Sequence, residues 1–364
     1  MIYFDNASTT LPLGTPQPFY NPSSPHALGI NAERALRDAR SKLAAALRLA
    51  GKPSAKTALV TGAIPSPEEI IFTSGGTESN NLAILGYALA KQRHGANLLS
   101  SPYEHPSILS PIKFAFEREW AKPDSAAVLF SVSHVNHETG DINDISAIAA
   151  NIRSEYPSAA IHVDGAQGFC KELICFHDID MYTFSGHKIH GPVGAGGLWV
   201  KNKIRLTPLQ YGGGQETGLR AGTENVPGIV QMAESACNLS RNLSSNHAHV
   251  SRLKAIMLGL CGSPDVVVNA LSGNVSPYIL NLSFLGIKGE VLVHALSEKG
   301  VYVSMGAACN SRKRTGSSLE LMGFAPEIAQ SAIRFSFSPY NTANEAEQAC
   351  GIIEDTVKQL RKAI

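Results

Sequence analysis

Lys188 closes the tetrapeptide Ser185-Gly-His-Lys, which follows an apolar run and precedes Ile-His-Gly-Pro-Val-Gly. A lysine amine is strongly hydrated as a cation, loses its proton readily on burial, and can then condense with an aldehyde to a Schiff base. A lone lysine at a strand end is ordinarily solvated, so its company decides the reading. Thr73-Ser-Gly-Gly-Thr-Glu-Ser-Asn-Asn81 has the form of a strand, a glycine turn and a helix start. The free amides and positive dipole end of such a helix attract an anion. Gly75 and Gly76 would let a phosphate approach the backbone, and Thr77 would add a hydroxyl. His162-Val-Asp164-Gly-Ala-Gln167 ends another strand-like run. An aspartate there can cap a helix, or can keep a pyridine nitrogen protonated so that the ring accepts electrons from a carbanion. Gln167 could then donate to the ring's phenolic oxygen.

Three further segments carry reactive groups. Glu104-His105-Pro-Ser places an imidazole after a strand, where it could stack on a flat ring and move protons. Arg220-Ala-Gly-Thr223-Glu-Asn225 offers a small hydroxyl residue that could meet a phosphate across a subunit boundary. Cys309 follows Val303-Ser-Met-Gly-Ala-Ala and precedes Asn-Ser and the basic triplet Arg312-Lys-Arg314. Small and polar residues around it describe an exposed, mobile loop at about 304–318, and nearby cations favour the thiolate, the nucleophilic form. The triplet itself reads as a solvated face; docking of an acidic protein is its functional alternative.

These segments need a frame that gathers them. From about residue 67 to 200, strand-like runs at Glu69–Ser74, Asn97–Ser101, Ala126–Val132, Ala160–Asp164, Ile179–Ser185 and Gly196–Val200 alternate with helical spacing at Thr77–Arg93, Pro106–Trp120 and Asp144–Tyr156. Such alternation predicts a mainly parallel sheet covered on both faces, with active groups collected at the carboxyl ends of the strands. Beyond a helix at about Gly228–Leu243 the pattern becomes mixed, with strands near Pro277–Phe284, Val301–Ser304 and Ala332–Ser336. The expected fold class is therefore α/β, with a large domain over 14–242 and a smaller α+β domain from 1–13 and 243–364.

Composition narrows the function classes. The 364 residues, 44% hydrophobic and 17% charged, suit a soluble globular protein. A net charge of +1 provides no field for gathering nucleic acid or an anionic membrane, and no apolar run approaches a spanning helix. The start Met1-Ile-Tyr-Phe-Asp5 lacks the features of a signal peptide, which gives a cytoplasmic expectation. None of the six cysteines forms a CxxC pair. Cys170, Cys175 and His177 match no common metal spacing, so structural roles and no metal are expected.

Taken together, the segments resemble the cysteine desulfurases of the NifS/IscS type, within the class V aminotransferase group of fold-type I pyridoxal-phosphate (PLP) enzymes. The matching segments are Tyr3-Phe-Asp-Asn-Ala-Ser-Thr-Thr10, Asn21-Pro-Ser-Ser-Pro-His26, the glycine–threonine loop, Glu104-His105, Asp164…Gln167, Ser185-Gly-His-Lys188, Gly214-Gln-Glu216 with Arg220–Asn225, the Cys309 loop and Ile333-Arg-Phe-Ser336. They occur in the family's order along nearly the whole chain. The resemblance implies that Lys188 carries the cofactor, His105 stacks on its ring, and Asp164 and Gln167 hold its nitrogen and phenolic oxygen. Gly76, Thr77, Ser185 and His187 would hold the phosphate, with Thr223 reaching in from the partner of a homodimer. Arg334 would grip the carboxylate of L-cysteine as a forked, permanently charged donor. Cys309 would take the sulfur as a persulfide, release alanine, and pass the sulfur to an acceptor protein in iron–sulfur cluster or thio-cofactor assembly.

Two departures stand out. Where the family usually has Asn-Asn-Glu-Thr-Gly this chain has Asn136-His-Glu-Thr-Gly140, so His137 replaces the asparagine expected near the phenolic oxygen and the substrate. Only ten residues separate Thr10 from Asn21, whereas Gly51–Pro67 looks expanded. Two rival readings follow: a selenocysteine lyase or related PLP lyase or aminotransferase, and a catalytically weak PLP-binding scaffold within a sulfur-transfer complex.

Overall fold

The computed structural model describes residues 1–15, 17–51, 65–93, 95–305 and 317–363; Cys309, the triplet 312–314 and most of 51–67 lie outside them. The chain forms two compact units, a larger one of Leu11–His134 and Asn143–Leu243, and a smaller one of Met1–Thr10, Val135–Ile142 and Ser244–Ile364. From the N-terminus, β1 (Ile2–Tyr3) belongs to the smaller unit. The larger unit then runs α1 (Ala27–Leu49), β2 (Ile70–Thr73), α2 (Gly76–Ala90), β3 (Asn97–Ser100), α3 (Pro106–Glu117), β4 (Val128–Ser133), α4 (Ile145–Glu155), β5 (Ala160–Asp164), β6 (Met181–Ser185), β7 (Gly196–Val200) and α5 (Val226–Arg241).

Its six strands lie in the order β2-β7-β6-β5-β4-β3. Strands β3 to β6 are parallel, as strand–helix alternation requires. Strand β7 is antiparallel to both neighbours, because residues 186–195 supply no crossover helix to carry the chain back. Alternation along the strands assigns the two faces. Ile70, Phe72, Ile161, Val163, Tyr182, Phe184 and Trp199 pack with α1 and α5, while Ile71, Ala160, Met181, Leu198 and Val200 pack with α2 and α3. Each large side chain so buried contributes about 1.5–3 kcal/mol. The sheet is thereby a rigid frame whose strand ends can hold polar groups in place.

Helix α1 has no counterpart among the sequence expectations. It buries Ala32, Leu36, Ala39, Leu43 and Leu47 at helical spacing, and the Nδ1 of His26 caps it by accepting from the amide of Gly29. Its Arg40 forks onto Glu216 at 2.6 and 2.9 Å, and the same carboxylate accepts the amide of Phe72 in β2. Glu216, from the segment 214–216 singled out in the sequence, thus joins helix to sheet.

The smaller unit continues with α6 (Leu243–Leu258), β8 (Val266–Val268), β9 (Ile279–Phe284), α7 (Gly289–Glu298), β10 (Val301–Tyr302), β11 (Ser304–Met305), α8 (Ser318–Leu321), α9 (Pro326–Gln330), β12 (Ala332–Ser336) and α10 (Ala343–Ala363). An antiparallel sheet β11-β12-β9-β8 and the parallel pair β1-β10 share a core of Phe4, Leu282, Phe284, Leu292, Phe335 and Ile353, among others. The excursion 135–142 departs from the expected continuous domain 14–242. Its backbone bonds lead into the smaller unit, with Ser276 donating to the carbonyl of Gly140 and Ile142 to that of Asn274. Four donors, the Thr139 and Ser272 hydroxyls and the Leu271 and Ser272 amides, converge on the carboxylate of Asp141.

Candidate active site

In the larger unit, Lys188 ends the single 3-10 turn Gly186–Lys188 that follows β6 directly. Gly186 is held by its amide on the carbonyl of Ala195 at 2.9 Å, and a Cβ there would meet that same oxygen. Ser185, the last residue of β6, faces the glycine turn before α2. A Cβ built on Gly76 would stand 3.6 Å from the Ser185 Cβ. The Ser185 hydroxyl is buried and has no hydrogen-bond partner among the described residues. A Cβ on Gly196, the first residue of β7, would lie only 2.5 Å from the Gly75 Cα, so glycine there lets the turn rest on the sheet.

The start of α2 therefore presents orphan amides, a buried hydroxyl without a partner and the exposed side chain of Thr77. A buried hydroxyl seldom goes unpaired, and an anion at this helix end would satisfy it together with the amides. His187 is half-buried, and burial, with Lys188 and Lys171 nearby, pushes its pKa down to about 4. It is a neutral hydrogen-bonding group at ordinary pH.

Asp164 ends β5 beside β6 and is buried. No α-helix follows it; instead its Oδ1 accepts from the amide of Ala166 at 2.9 Å, and its Oδ2 accepts from Asn80 Nδ2 at 2.8 Å. Gln167 is buried in the turn that follows. His105 caps α3, its Nδ1 accepting from the amide of Ser107 at 3.1 Å. Part of its ring is open to solvent, yet the surrounding protein holds its pKa below the usual value; Asp164 opposes this and Lys188 adds to it. Asp164 and Lys188 thus both lie close enough to act on His105. Thr77, His105 and Ser107 also line a cavity of about 610 Å³ with Asn81, Pro111 and Phe114.

Sequence reasoning missed three side chains here. Asn80 and Ser107 link Asp164 to His105. Glu104 is buried, accepts from the Ser101 hydroxyl and the Ser133 amide, and has its pKa pushed up to about 7 by burial. Buried polar residues in otherwise apolar helix faces, such as Ser79 and Asn80 in α2, were the available signal.

In the smaller unit, Arg334 lies within β12 and is buried. Its Nη1 donates to the carbonyl of His137 at 2.8 Å, and its Nη2 donates to Ser8 Oγ at 2.8 Å, with Asp5 Oδ1 at 3.4 Å. Its Nε is buried without a partner among the described residues. Asn136 folds the turn, its Oδ1 accepting from the amides of Glu138 and Thr139. The His137 ring is directed at Glu138, with Nε2 and Oε1 3.5 Å apart. Asn136, His137 and Arg334 are thus gathered in the smaller unit. Thr223 is exposed on a loop of the larger unit, and Cys309 lies outside the described residues. Cys170 and Cys175 are core residues of the larger unit. No described helix is long and apolar enough to cross a membrane.

A lysine and a carboxylate at strand ends, beside a helix start with free amides, are the arrangement of the class to which the chain belongs, the fold-type I PLP enzymes. The chain belongs to the class V aminotransferase family, whose model matches residues 2–122 and 117–348. It is 34% identical to a NifS/IcsS protein homolog of Lactobacillus delbrueckii subsp. bulgaricus, covering 100% of this chain and 98% of that protein. It is 32% identical to cysteine desulfurase IscS 1 of Archaeoglobus fulgidus, covering 99% and 98%. The solved structure of a NifS-like protein superposes with a TM-score of 0.84 at 28% identity, covering 98% of this chain and 99% of that one.

Proposed function

We propose that the chain is a PLP-dependent cysteine desulfurase that converts L-cysteine to L-alanine and holds the released sulfur on Cys309 before passing it to an acceptor. The observation that supports the cofactor assignment most directly is the buried Ser185 hydroxyl, open to a hydrogen bond at the N-terminus of α2 and on the strand that leads into Lys188. The donor set fits the group. Ser185, His187, Gly76 and Thr77 would hold its phosphate, Asp164 its ring nitrogen, Gln167 its phenolic oxygen, and Lys188 its aldehyde carbon, with His105 against the ring face. When bound, PLP supplies a protonated, electron-accepting ring that spreads negative charge left on carbon.

The protein's own groups do the rest. Arg334 holds the substrate carboxylate, its Nε being a donor without a partner among the described residues. Lys188 Nζ moves a proton as the basic amine of the site. Asn136 keeps the turn 136–140 in shape, which in turn presents the His137 carbonyl to Arg334. The Cys309 thiolate attacks the cysteine sulfur; the S–S bond forms as the carbon–sulfur bond breaks, the electron pair stays on carbon, and a proton there completes alanine. The persulfide then needs an acceptor protein, and iron–sulfur cluster assembly is a consistent destination. A homodimer, with Thr223 contributed to the partner's phosphate site, and a cytoplasmic location complete the reading.

The visible spectrum of the purified protein, recorded before and after adding cysteine, tests the core of this. A cofactor band that shifts with cysteine while alanine accumulates is expected. A colourless protein that gains no band with added PLP would overturn it. With Cys309→Ala, loss of cysteine desulfuration is expected; retention of selenocysteine cleavage in that variant would favour the lyase reading.

A further inference from the structure

Asp164 and His105 come from different strand–helix connections, yet one side chain ties them together. Asn80, buried on the first turns of α2, directs both hydrogens of its Nδ2 outward: one to Asp164 Oδ2 and one to Ser107 Oγ, each at 2.8 Å. Ser107 Oγ lies 2.7 Å from His105 Nδ1. The directions of these bonds are fixed by their neighbours. The Ser107 amide points its hydrogen at His105 Nδ1, so that nitrogen accepts and carries no proton. The Ser107 hydroxyl must then donate to Nδ1 and accept from Asn80. Turning the Asn80 amide over would set its oxygen against the Asp164 carboxylate, acceptor to acceptor. In the orientation that remains, Asn80 Oδ1 is buried with no partner among the described residues, a cost borne to keep both donors in use.

We infer that Asn80 and Ser107 are positioning residues that lock His105 as the neutral, Nε2-protonated tautomer and at the same time fix the Asp164 carboxylate. The inference rests on the reading that both side chains serve a pyridine ring. An imidazolium beside that ring would oppose protonation of its nitrogen, whereas a neutral imidazole does not. Adding a proton at Nδ1 would break the cap on α3 and reverse the Ser107 hydroxyl, so the network resists the charged form. Burial disfavours the charged form, Asp164 favours it and Lys188 disfavours it. Asn80 thereby orients one cofactor-contacting group and, through Ser107, keeps the other uncharged.

Isotope-labelled histidine nitrogens, read by long-range proton–nitrogen NMR in the cofactor-free protein, test this directly, with the His105 signals assigned by their loss in His105→Gln. The wild type should show an unprotonated Nδ1 and a protonated Nε2 that persist below the pH at which an ordinary histidine protonates. Ser107→Ala should mix the tautomers and raise the pH at which the ring protonates, and Ser107→Thr should restore the wild-type pattern. Asn80→Ala should do the same as Ser107→Ala, provided its melting curve remains cooperative; Ser107→Ala alone decides if it does not. In the loaded enzyme Ser107→Ala should lower kcat about tenfold with KM within about twofold. A wild-type ring protonated at Nδ1, or a Ser107→Ala ring with the tautomer unchanged, overturns the inference. Absence of PLP binding or of alanine release would overturn the functional reading instead, and the tautomer measurement would stand apart from it.

Discussion

The two polar clusters are built on opposite plans. In the larger unit, Lys188, Ser185 and Asp164 each sit at or just beyond the end of a strand, and Thr77 and His105 sit at helix starts, so short local segments place them. Hydrogen-bonding capacity is left over there, at Ser185 Oγ and Asn80 Oδ1. In the smaller unit, Arg334 reaches a carbonyl 197 residues away and a hydroxyl 326 residues away, and both Nη groups are engaged by the protein itself. The first cluster is a receptacle with hydrogen-bonding groups waiting; the second is a clamp already braced, whose Nε lacks an acceptor among the described residues. Covalent capture and charge delocalisation suit the former, and recognition of a small carboxylate suits the latter.

The comparison is tested first where it should be starkest. Lys188→Ala removes the amine on which the receptacle depends, and alanine release should fall by at least about 10³-fold, the range lost with a general acid–base or covalent group. Cofactor that still binds should then wash out on dialysis. Turnover within tenfold of wild type would place the reactive amine elsewhere. The clamp is tested by Arg334→Lys. A point charge cannot reproduce three placed donors, so kcat/KM should fall about 10- to 100-fold, chiefly through KM. An unchanged KM would mean that the substrate carboxylate is held elsewhere.

A third difference lies in how the receptacle responds to pH. Glu104 holds its proton up to about 7 in the folded chain, against an ordinary 4.5, because burial outweighs the bonds from Ser101 and Ser133. The folded state therefore binds this proton more tightly than the unfolded state, and the stabilisation is lost as pH rises from about 4.5 through 7. His162, His187 and His190 work the other way. Burial holds each down to about 4, so their contribution is lost as pH falls from 6.5 towards 4. Glu104→Gln should remove the alkaline loss, worth roughly 3 kcal/mol, and raise Tm by about 3 °C or more near pH 8 while leaving it nearly unchanged near pH 4. Equal shifts at both pH values would show that Glu104 acts by packing alone.

How much of this was legible in the sequence follows from the same contrast. Asp164, Ser185 and Lys188 could be found because an apolar run of strand length ending in polar residues places them in a parallel sheet's active edge. The reversed strand β7 was not legible as such, since its length and composition match those of its parallel neighbours; only the connection of residues 186–195 betrays it. Helix α1 hides because many of its buried positions are alanine, which marks a helix face weakly. The partners of Arg334 and the placement of 135–142 in the smaller unit depend on pairings across most of the chain, for which spacing carries no signal. Asn80 sat inside a motif valued for its glycines, and its bridge to Ser107 and Asp164 emerges only when α2, α3 and β5 are packed.

The smallest expected effect concerns the residue that departs most from the family pattern. His137 stands where an asparagine is usual, which makes it an obvious candidate for altered catalysis. What the turn gives Arg334, however, is the main-chain carbonyl of His137, a group that substitution leaves in place. That carbonyl is positioned by Asn136, whose Oδ1 gathers the amides of Glu138 and Thr139, and by Asp141 further along the turn. The imidazole is turned to Glu138, a separation of 3.5 Å that becomes an ion pair only when the ring is protonated. His137→Asn should therefore leave kcat/KM within about threefold at neutral pH, the scale of a single weak surface-type contact. A loss of about tenfold or more would mean that the imidazole itself meets the substrate, and the clamp would then include a side chain rather than a carbonyl at this position.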